Sequence, residues 1–313
     1  MSTLPIRIIF GKEVIRLANE FDYYAVCADT KCCSFEDFGD VYPERQISIG
    51  IAEQNLIGVA SGLASCGNKV VLATYSVFAT MRACEQLRTY ICHPKQDVMV
   101  MGTHAGLQTG SEGVSHTAIE DVAILRALPN MTIIQPSDGV SARFLARKAL
   151  EFHGPLYVRL PFDAVEDIND EATYNVEIGK ANWVKRQGKD VTLIATGIML
   201  DRTVKAAKTL KACGIDAKIM EMHTLKPIDR DAIIEAAAET AAIVTVEDHS
   251  IIGGLGGAVA EVLATSQPVP MRMIGIQDCF ARSGDAESLY RVNHMTIDDI
   301  VAAAKALVEQ KKR

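Results

Sequence analysis

The eight cysteines include no CxxC pair, and no His/Cys cluster has the spacing of a zinc site. A disulfide framework and a structural zinc are therefore not expected. The cysteines at 27, 32, 33, 66, 84, 92, 213 and 279 read as reduced core thiols. No apolar run approaches the roughly 18 residues a membrane helix needs. Residues 1–10 carry no long apolar stretch and no small-residue cleavage site, so no secretory leader is expected and the cytoplasm is the expected compartment. There is no basic stripe. With 32 basic against 39 acidic residues the formal charge is −7, which argues against a nucleic-acid partner. The chain has no GxxxxGK[ST] loop, no Gly-Asp-Gly and no internal repeat of 20–50 residues.

What is present is an ordinary globular composition, 49% hydrophobic and 23% charged, over 313 residues, a length that suits two domains. Short continuous apolar runs at 24–28, 46–50, 70–73, 98–102, 132–135 and 156–160 alternate with helical periodicity at 7–21, 53–66, 77–92, 118–128 and 140–152. This alternation predicts an α/β domain with a parallel sheet covered on both faces. The pattern breaks near Asp163, and residues 163–187 read as a crossover linker. A second, smaller α/β unit follows, with strands expected at 191–195, 217–222, 243–246 and 271–276. Its helices are expected at 200–213, 229–239, 255–264 and 296–310, the last capped by Thr296.

Four features carry candidate chemistry. Glu53, in Gly50-Ile-Ala-Glu53-Gln-Asn55, stands where a strand gives way to a helix. Open α/β sheets bind ligands at such strand ends, although an acid at a helix N-terminus is also stabilised without any function. His104 and His116 flank a loop with glycines at 106, 110 and 113, and histidine exchanges protons near neutral pH. Tyr75 and Phe78 would share a helical face, either as core or as a stacking wall for a planar ring. Gly253-Gly-Leu-Gly-Gly257 opens a helix and would either cradle a phosphate or allow close helix–sheet packing.

Taken together, these stretches resemble the C-terminal half of transketolase, a thiamine-diphosphate enzyme. Gly50 to Asn55 is similar to the family's G-I-(A/R)-E-(Q/H) motif, 75–79 to its aromatic segment, and 104–116 to its histidine loop. Residues 191–197, Lys226-Pro-Ile-Asp229 and Val246-Glu-Asp-His249 through Gly257 resemble its C-terminal domain. The resemblance implies a pyrimidine-binding domain at 1–165, a linker at 166–188 and a transketolase C-terminal domain at 189–313. It also implies that Gly-Asp-Gly and the magnesium ligands belong to a separate N-terminal, diphosphate-binding subunit, in an α2β2 assembly. No metal ligand is expected on this chain. The implied reaction moves a two-carbon ketol unit from a ketose to an aldose, with sugar or sugar-phosphate substrates. Glu53 would hydrogen-bond the aminopyrimidine of thiamine diphosphate, and Tyr75 and Phe78 would pack on that ring. His104 and His116 would contact sugar hydroxyls or the phosphate end and help move protons. Arg7, Glu112 and Arg159 complete the expected substrate contacts.

The sequence departs from the family pattern at two points. Glu112 stands where the histidine loop usually has Asp, and Phe162 lies where a second phosphate-clamping arginine is usual. Cys32, Cys33 and Ser34 occupy the place of a substrate-contacting serine. Two other readings share the architecture or the partner requirement: the β subunit of a 2-oxo acid dehydrogenase, and a non-catalytic, partner-binding subunit. The His104–His116 loop and the Gly50-Ile-Ala-Glu53 segment argue against the first. Retention of Glu53 and both histidines weakens the second.

Overall fold

A computed structural model describes residues 4–30 and 32–311. The first three residues of the stretch read for a leader lie outside it. Two sheets form the molecule, each the centre of an α/β layer. The first is built from β1 (Tyr24–Cys27), β2 (Gln46–Ser48), β3 (Val70–Tyr75), β4 (Val98–Ala105), β5 (Thr132–Ile134) and β6 (Leu156–Pro161), all parallel. The second contains β7 (Asn182–Lys185), β8 (Val191–Ala195), β9 (Ala217–Glu221), β11 (Ile243–Ser250) and β12 (Met271–Ile276). A further strand, β10 (Thr224–Lys226), leaves the second unit and pairs antiparallel with β5, so it caps the edge of the first sheet. The strand orders are β10-β5-β6-β4-β3-β1-β2 and β12-β11-β8-β9-β7.

The central strands are buried along their whole length, as unbroken Val/Leu/Met/Ala runs require when helices cover both faces of a parallel sheet. Strand β1 is flanked by β2 on one side and β3 on the other. The connection direction reverses there, which opens a crevice at the carboxyl ends of the strands. Glu53, Tyr75, His104 and Phe162 all lie at or just beyond the carboxyl ends of β2, β3, β4 and β6.

Several expectations need correction. The supposed linker ends in β7, which pairs antiparallel with β9 as an edge strand. Residues 77–92 are helical but wide-turned, with π-helical stretches Phe78–Arg82 and Leu87–Cys92 around a short α turn, Cys84–Gln86. The helix Ala286–Val292 was missed; at seven residues it is too short to show a period, and only its cap, Asp285 accepting from Ser288 N, announces it. Thr296 caps the terminal helix as expected, in a reciprocal capping box with Asp299. The cysteines are not uniformly core. Cys27, Cys32, Cys33 and Cys92 are buried, whereas Cys66, Cys213 and Cys279 are exposed. Among the described residues, no helix is long and apolar enough to cross a membrane.

The two units meet across a fully buried polar network. Arg159, from β6, donates through Nε to both oxygens of Asp121 (3.1 and 2.8 Å) and through Nη2 to the carbonyls of Ala118 (3.1 Å) and Asp248 (3.0 Å). Tyr157 Oη donates to Asp121 at 2.8 Å. Its partners hold the Asp121 carboxyl below the usual carboxylate range despite burial, with the Arg159 charge foremost among them. The Asp248 side chain in turn accepts from Leu107 N (3.0 and 3.1 Å) and Tyr290 Oη (2.9 Å). Breaking a buried ion pair from one side leaves an uncompensated charge. Arg159→Ala is therefore expected to destabilise the protein by about 3–5 kcal/mol. Chemical denaturation would measure this, and a loss below about 1 kcal/mol would show that the pair is not the joint described here.

Candidate functional site

The crevice is lined by one continuous row of rings and cations. Tyr75 and Phe78 lie parallel, 5.7 Å between centroids and 4° between planes. His104 stacks on Tyr75 at 3.9 Å, and His116 meets the edges of Tyr75 (5.7 Å) and Phe78 (5.2 Å). Phe162 lies 4.9 Å from His104, and the Arg7 guanidinium lies over Phe162 at 4.3 Å. At the opposite end Arg82 covers Phe78 at 4.3 Å and donates to Glu53 Oε2 at 2.8 Å. Glu112 approaches His104 Nε2 at 3.9 Å. The structure thus gathers Glu53, Tyr75, Phe78, His104, Glu112, His116 and Arg7 into one place.

Arg159 is the exception. Its ion pair with Asp121 leaves it 1% exposed, beneath the histidine loop rather than in the crevice. The expected substrate contact is thereby corrected to a structural one. The glycine run also reads differently. The helix Leu255–Thr265 spends its first N–H groups on Glu247, which accepts from Leu255 N (2.6 Å) and Gly256 N (2.7 Å). Two of its leading donors are thus engaged by a side chain of the same chain, which counts against the expected phosphate cradle.

Each site residue is placed by local chain chemistry. Gly50, at φ +72°, turns the chain from β2 towards Glu53, the first residue of the helix Glu53–Ser65. Glu53 is 1% exposed, and its Oε1 has no hydrogen-bond partner in the structure. His104 adopts the left-handed conformation (φ +57°) at the end of β4, a strain of order 1–3 kcal/mol that its surroundings must hold. They do so through Thr103 Oγ1, 2.9 Å from Nδ1, and Thr109 Oγ1, which donates to the His104 carbonyl at 2.7 Å. The 3₁₀ turn Leu107–Glu112 is then clamped from the second unit. A Cβ on Gly106 would collide with the Asp248 carboxylate, and one on Gly110 with the Gly284 carbonyl. Two of the loop glycines thus serve close approach. Arg7 is anchored by Nε to the Cys32 carbonyl (2.9 Å) and by Nη1 to the Phe162 carbonyl. Sequence reasoning missed Arg82, whose only signal was its place one helical turn beyond Phe78.

The family comparisons agree with this geometry. The family model for the transketolase pyrimidine binding domain matches residues 17–166, and that for the transketolase C-terminal domain matches 179–300. The chain belongs to the transketolase family. A Methanocaldococcus jannaschii protein assigned as a transketolase C-terminal section is 41% identical over 310 residues, covering 97% of this chain and 95% of its own. A 6-deoxy-6-sulfo-D-fructose transketolase subunit from a Clostridium species is 38% identical over 281 residues, 89% and 86% of the two chains. A solved structure described as a split gene transketolase, inactive β4 tetramer, superposes with a TM-score of 0.90 at 41% identity, covering 98% of this chain and 99% of that one. This protein is therefore similar in extent to transketolase C-terminal subunits, and its two α/β units are those of the family.

Histidine 104 does not titrate near neutral pH. Burial, then the charges of Arg7 and His116, push its pKa down to about 3. The imidazole is therefore held neutral at neutral pH. The sign of the linkage follows. Between pH about 3 and the ordinary 6.5, the unfolded chain binds a proton that the folded chain refuses, so folding loses stability as pH falls through that window. Relative to His104→Gln, the wild type should lose up to about 1.4 kcal/mol per pH unit below 6.5. Denaturant unfolding of both proteins at about pH 7 and pH 5 measures it, and a pH-independent difference would refute a buried neutral imidazole.

Proposed function

We propose that the chain is the pyrimidine-binding and C-terminal half of a split, thiamine-diphosphate-dependent transketolase that transfers a two-carbon ketol unit from a ketose to an aldose. The observation that carries this reading is Glu53, a carboxylate buried to 1% exposure with one oxygen unpartnered, beside the parallel rings of Tyr75 and Phe78. Buried carboxylate oxygens are rarely left bare. A planar ring bearing an N–H donor fits both features, so the residues present suit the aminopyrimidine of thiamine diphosphate. When bound, that cofactor supplies the nucleophilic carbon that ketol transfer needs.

The chain's own residues orient and select. Glu53 would accept a hydrogen bond from the ring and fix its tautomer, while Tyr75 and Phe78 fix its plane. Neutral His104, with His116 and Glu112, would hydrogen-bond the hydroxyls of a sugar lying along the row. Arg7 would meet an anionic or polar terminus of the substrate. Phe162, tilted against His104 and under Arg7, leaves a single guanidinium at that end where a bidentate pair would grip a phosphate more firmly.

A partner subunit is part of the proposal. Exposed apolar side chains surround the segments that carry the site. Ile51 (69% exposed), Met81 (52%) and Val114 (51%) lie on the three segments that carry Glu53, Arg82 and His116. Apolar side chains grouped around a site suit cover by another protein. An N-terminal diphosphate-binding subunit holding magnesium and the diphosphate would complete the site, in an α2β2 assembly. A relative described as an inactive β4 tetramer supports the view that this half alone does not turn over. The 2-oxo acid dehydrogenase alternative gains nothing from the structure, because both histidines stand in the ring row.

In the assembled enzyme, Glu53→Gln is expected to lower kcat by at least about a hundredfold while leaving the unfolding midpoint nearly unchanged. Near-normal turnover in a transketolase assay would end the assignment. Phe162→Arg should lower KM for a pentose phosphate by roughly tenfold by restoring a second guanidinium; an unchanged KM would show that Phe162 does not set substrate preference.

A further inference from the structure

Arg82 has no part in the reading above, yet it does two things in the site. Its guanidinium lies over the Phe78 ring at 4.3 Å, and its Nη1 donates to Glu53 Oε2 at 2.8 Å. A flat, nitrogen-bearing group stacked on Phe78 and donating to Glu53 is a description of the aminopyrimidine ring itself. We infer that Arg82 holds that ring's place in the cofactor-free chain, as an internal stand-in that the ring displaces on binding. The inference rests on the proposed roles of Glu53 and Phe78.

Three observations support it. Glu53 is 1% exposed, and a buried carboxylate without a partner is costly. Some cation must meet it when the ring is absent, and among the described residues Arg82 alone forms an ion pair with it. The Arg82 side chain is itself 50% exposed, so it can withdraw into water without burying or stranding its charge. Finally, Arg82 ends the π-helical turn Phe78–Arg82 and is followed by Ala83 at φ −109°, outside helical geometry. Arg82 lies four positions after Phe78, the spacing at which helical side chains are neighbours, so its guanidinium reaches the Phe78 ring.

Displacement sets a cost on cofactor binding. A partly exposed cation–π contact and ion pair together correspond to roughly a tenfold effect on affinity. Isothermal titration of thiamine diphosphate with magnesium into the assembled two-subunit enzyme tests the idea, using wild type, Arg82→Ala, Arg82→Met and Glu53→Gln. Both Arg82 variants should bind the cofactor about tenfold more tightly, while the cofactor-free chain becomes less stable because Glu53 has lost its partner. Tighter binding combined with lower apo stability is not what a merely structural arginine would give, since its loss would weaken both. If the Arg82 variants bind equally or more weakly while Glu53→Gln abolishes binding, the stand-in is wrong and the proposed function survives. If Glu53→Gln binds like wild type, the pyrimidine reading of the site fails and takes this inference with it.

Discussion

Arg159 is a guanidinium stripped of nearly all water, and the acceptors it needs come from both units. Asp121 comes from the helix after the histidine loop, a carbonyl from Ala118 at that loop's end, and another carbonyl from Asp248 in the second unit. Desolvating such a cation costs several kcal/mol unless its acceptors are all in place. The contact therefore forms completely or not at all. When it forms, β6 is locked to the loop, and Asp248 is fixed where its side chain meets Leu107 N. Domain docking and loop placement become one event. This explains why an arginine that looked like a substrate contact is better used beneath the site than in it.

The electrostatics of the crevice depend on that support. The chain is acidic overall, at −7, yet the row of rings is bounded by a cation at each end, Arg7 and Arg82. Between them His104 stays neutral because it is buried and lies near Arg7 and His116. The row is aromatic in the middle with a guanidinium at each end, the one at Arg82 compensated by Glu53. The left-handed backbone of His104 adds to this. It is tolerable because Thr103 and Thr109 grip the residue from both sides, and Thr109 belongs to the turn that the second unit clamps.

The family motifs and the positions of the parallel strands were legible because both are local. Unbroken apolar runs mark covered strands, and Gly50 before Glu53 or the glycines after His104 mark where the chain must turn closely. What escaped was set by partners far away in sequence. β7 and β10 are too short and too polar to stand out, and they are strands only because β9 and β5 offer them edges. Arg159 and Asp121 are 38 residues apart, so nothing in the sequence pairs them. The glycines at 253–257 looked like an anion cradle because helix N-termini are anion sites. Here the Glu247 carboxyl of the same chain accepts from the helix start instead. Arg82 was overlooked for a related reason. Its spacing from Phe78 is ordinary for a helix, but its bond to Glu53 joins residues 29 apart, which no local pattern signals.

The division of labour between the two units follows from these contacts. Every side chain in the ring row belongs to the first unit, from Arg7 to Phe162. The second unit contributes no side chain to that row. It instead fixes the loop that carries His104, Glu112 and His116, through Asp248 at Leu107 and through Gly284, whose backbone N–H donates to the Gly110 carbonyl at 3.2 Å. Tyr290 steadies Asp248 from behind, itself under the Arg202 guanidinium at 4.3 Å. A loop held at both ends by a separate unit keeps its histidines in place although its glycines give it a flexible backbone. Flexibility in the sequence and rigidity in the structure are thus compatible, because the constraint lies 141 residues beyond Leu107, in Asp248 rather than in the loop itself.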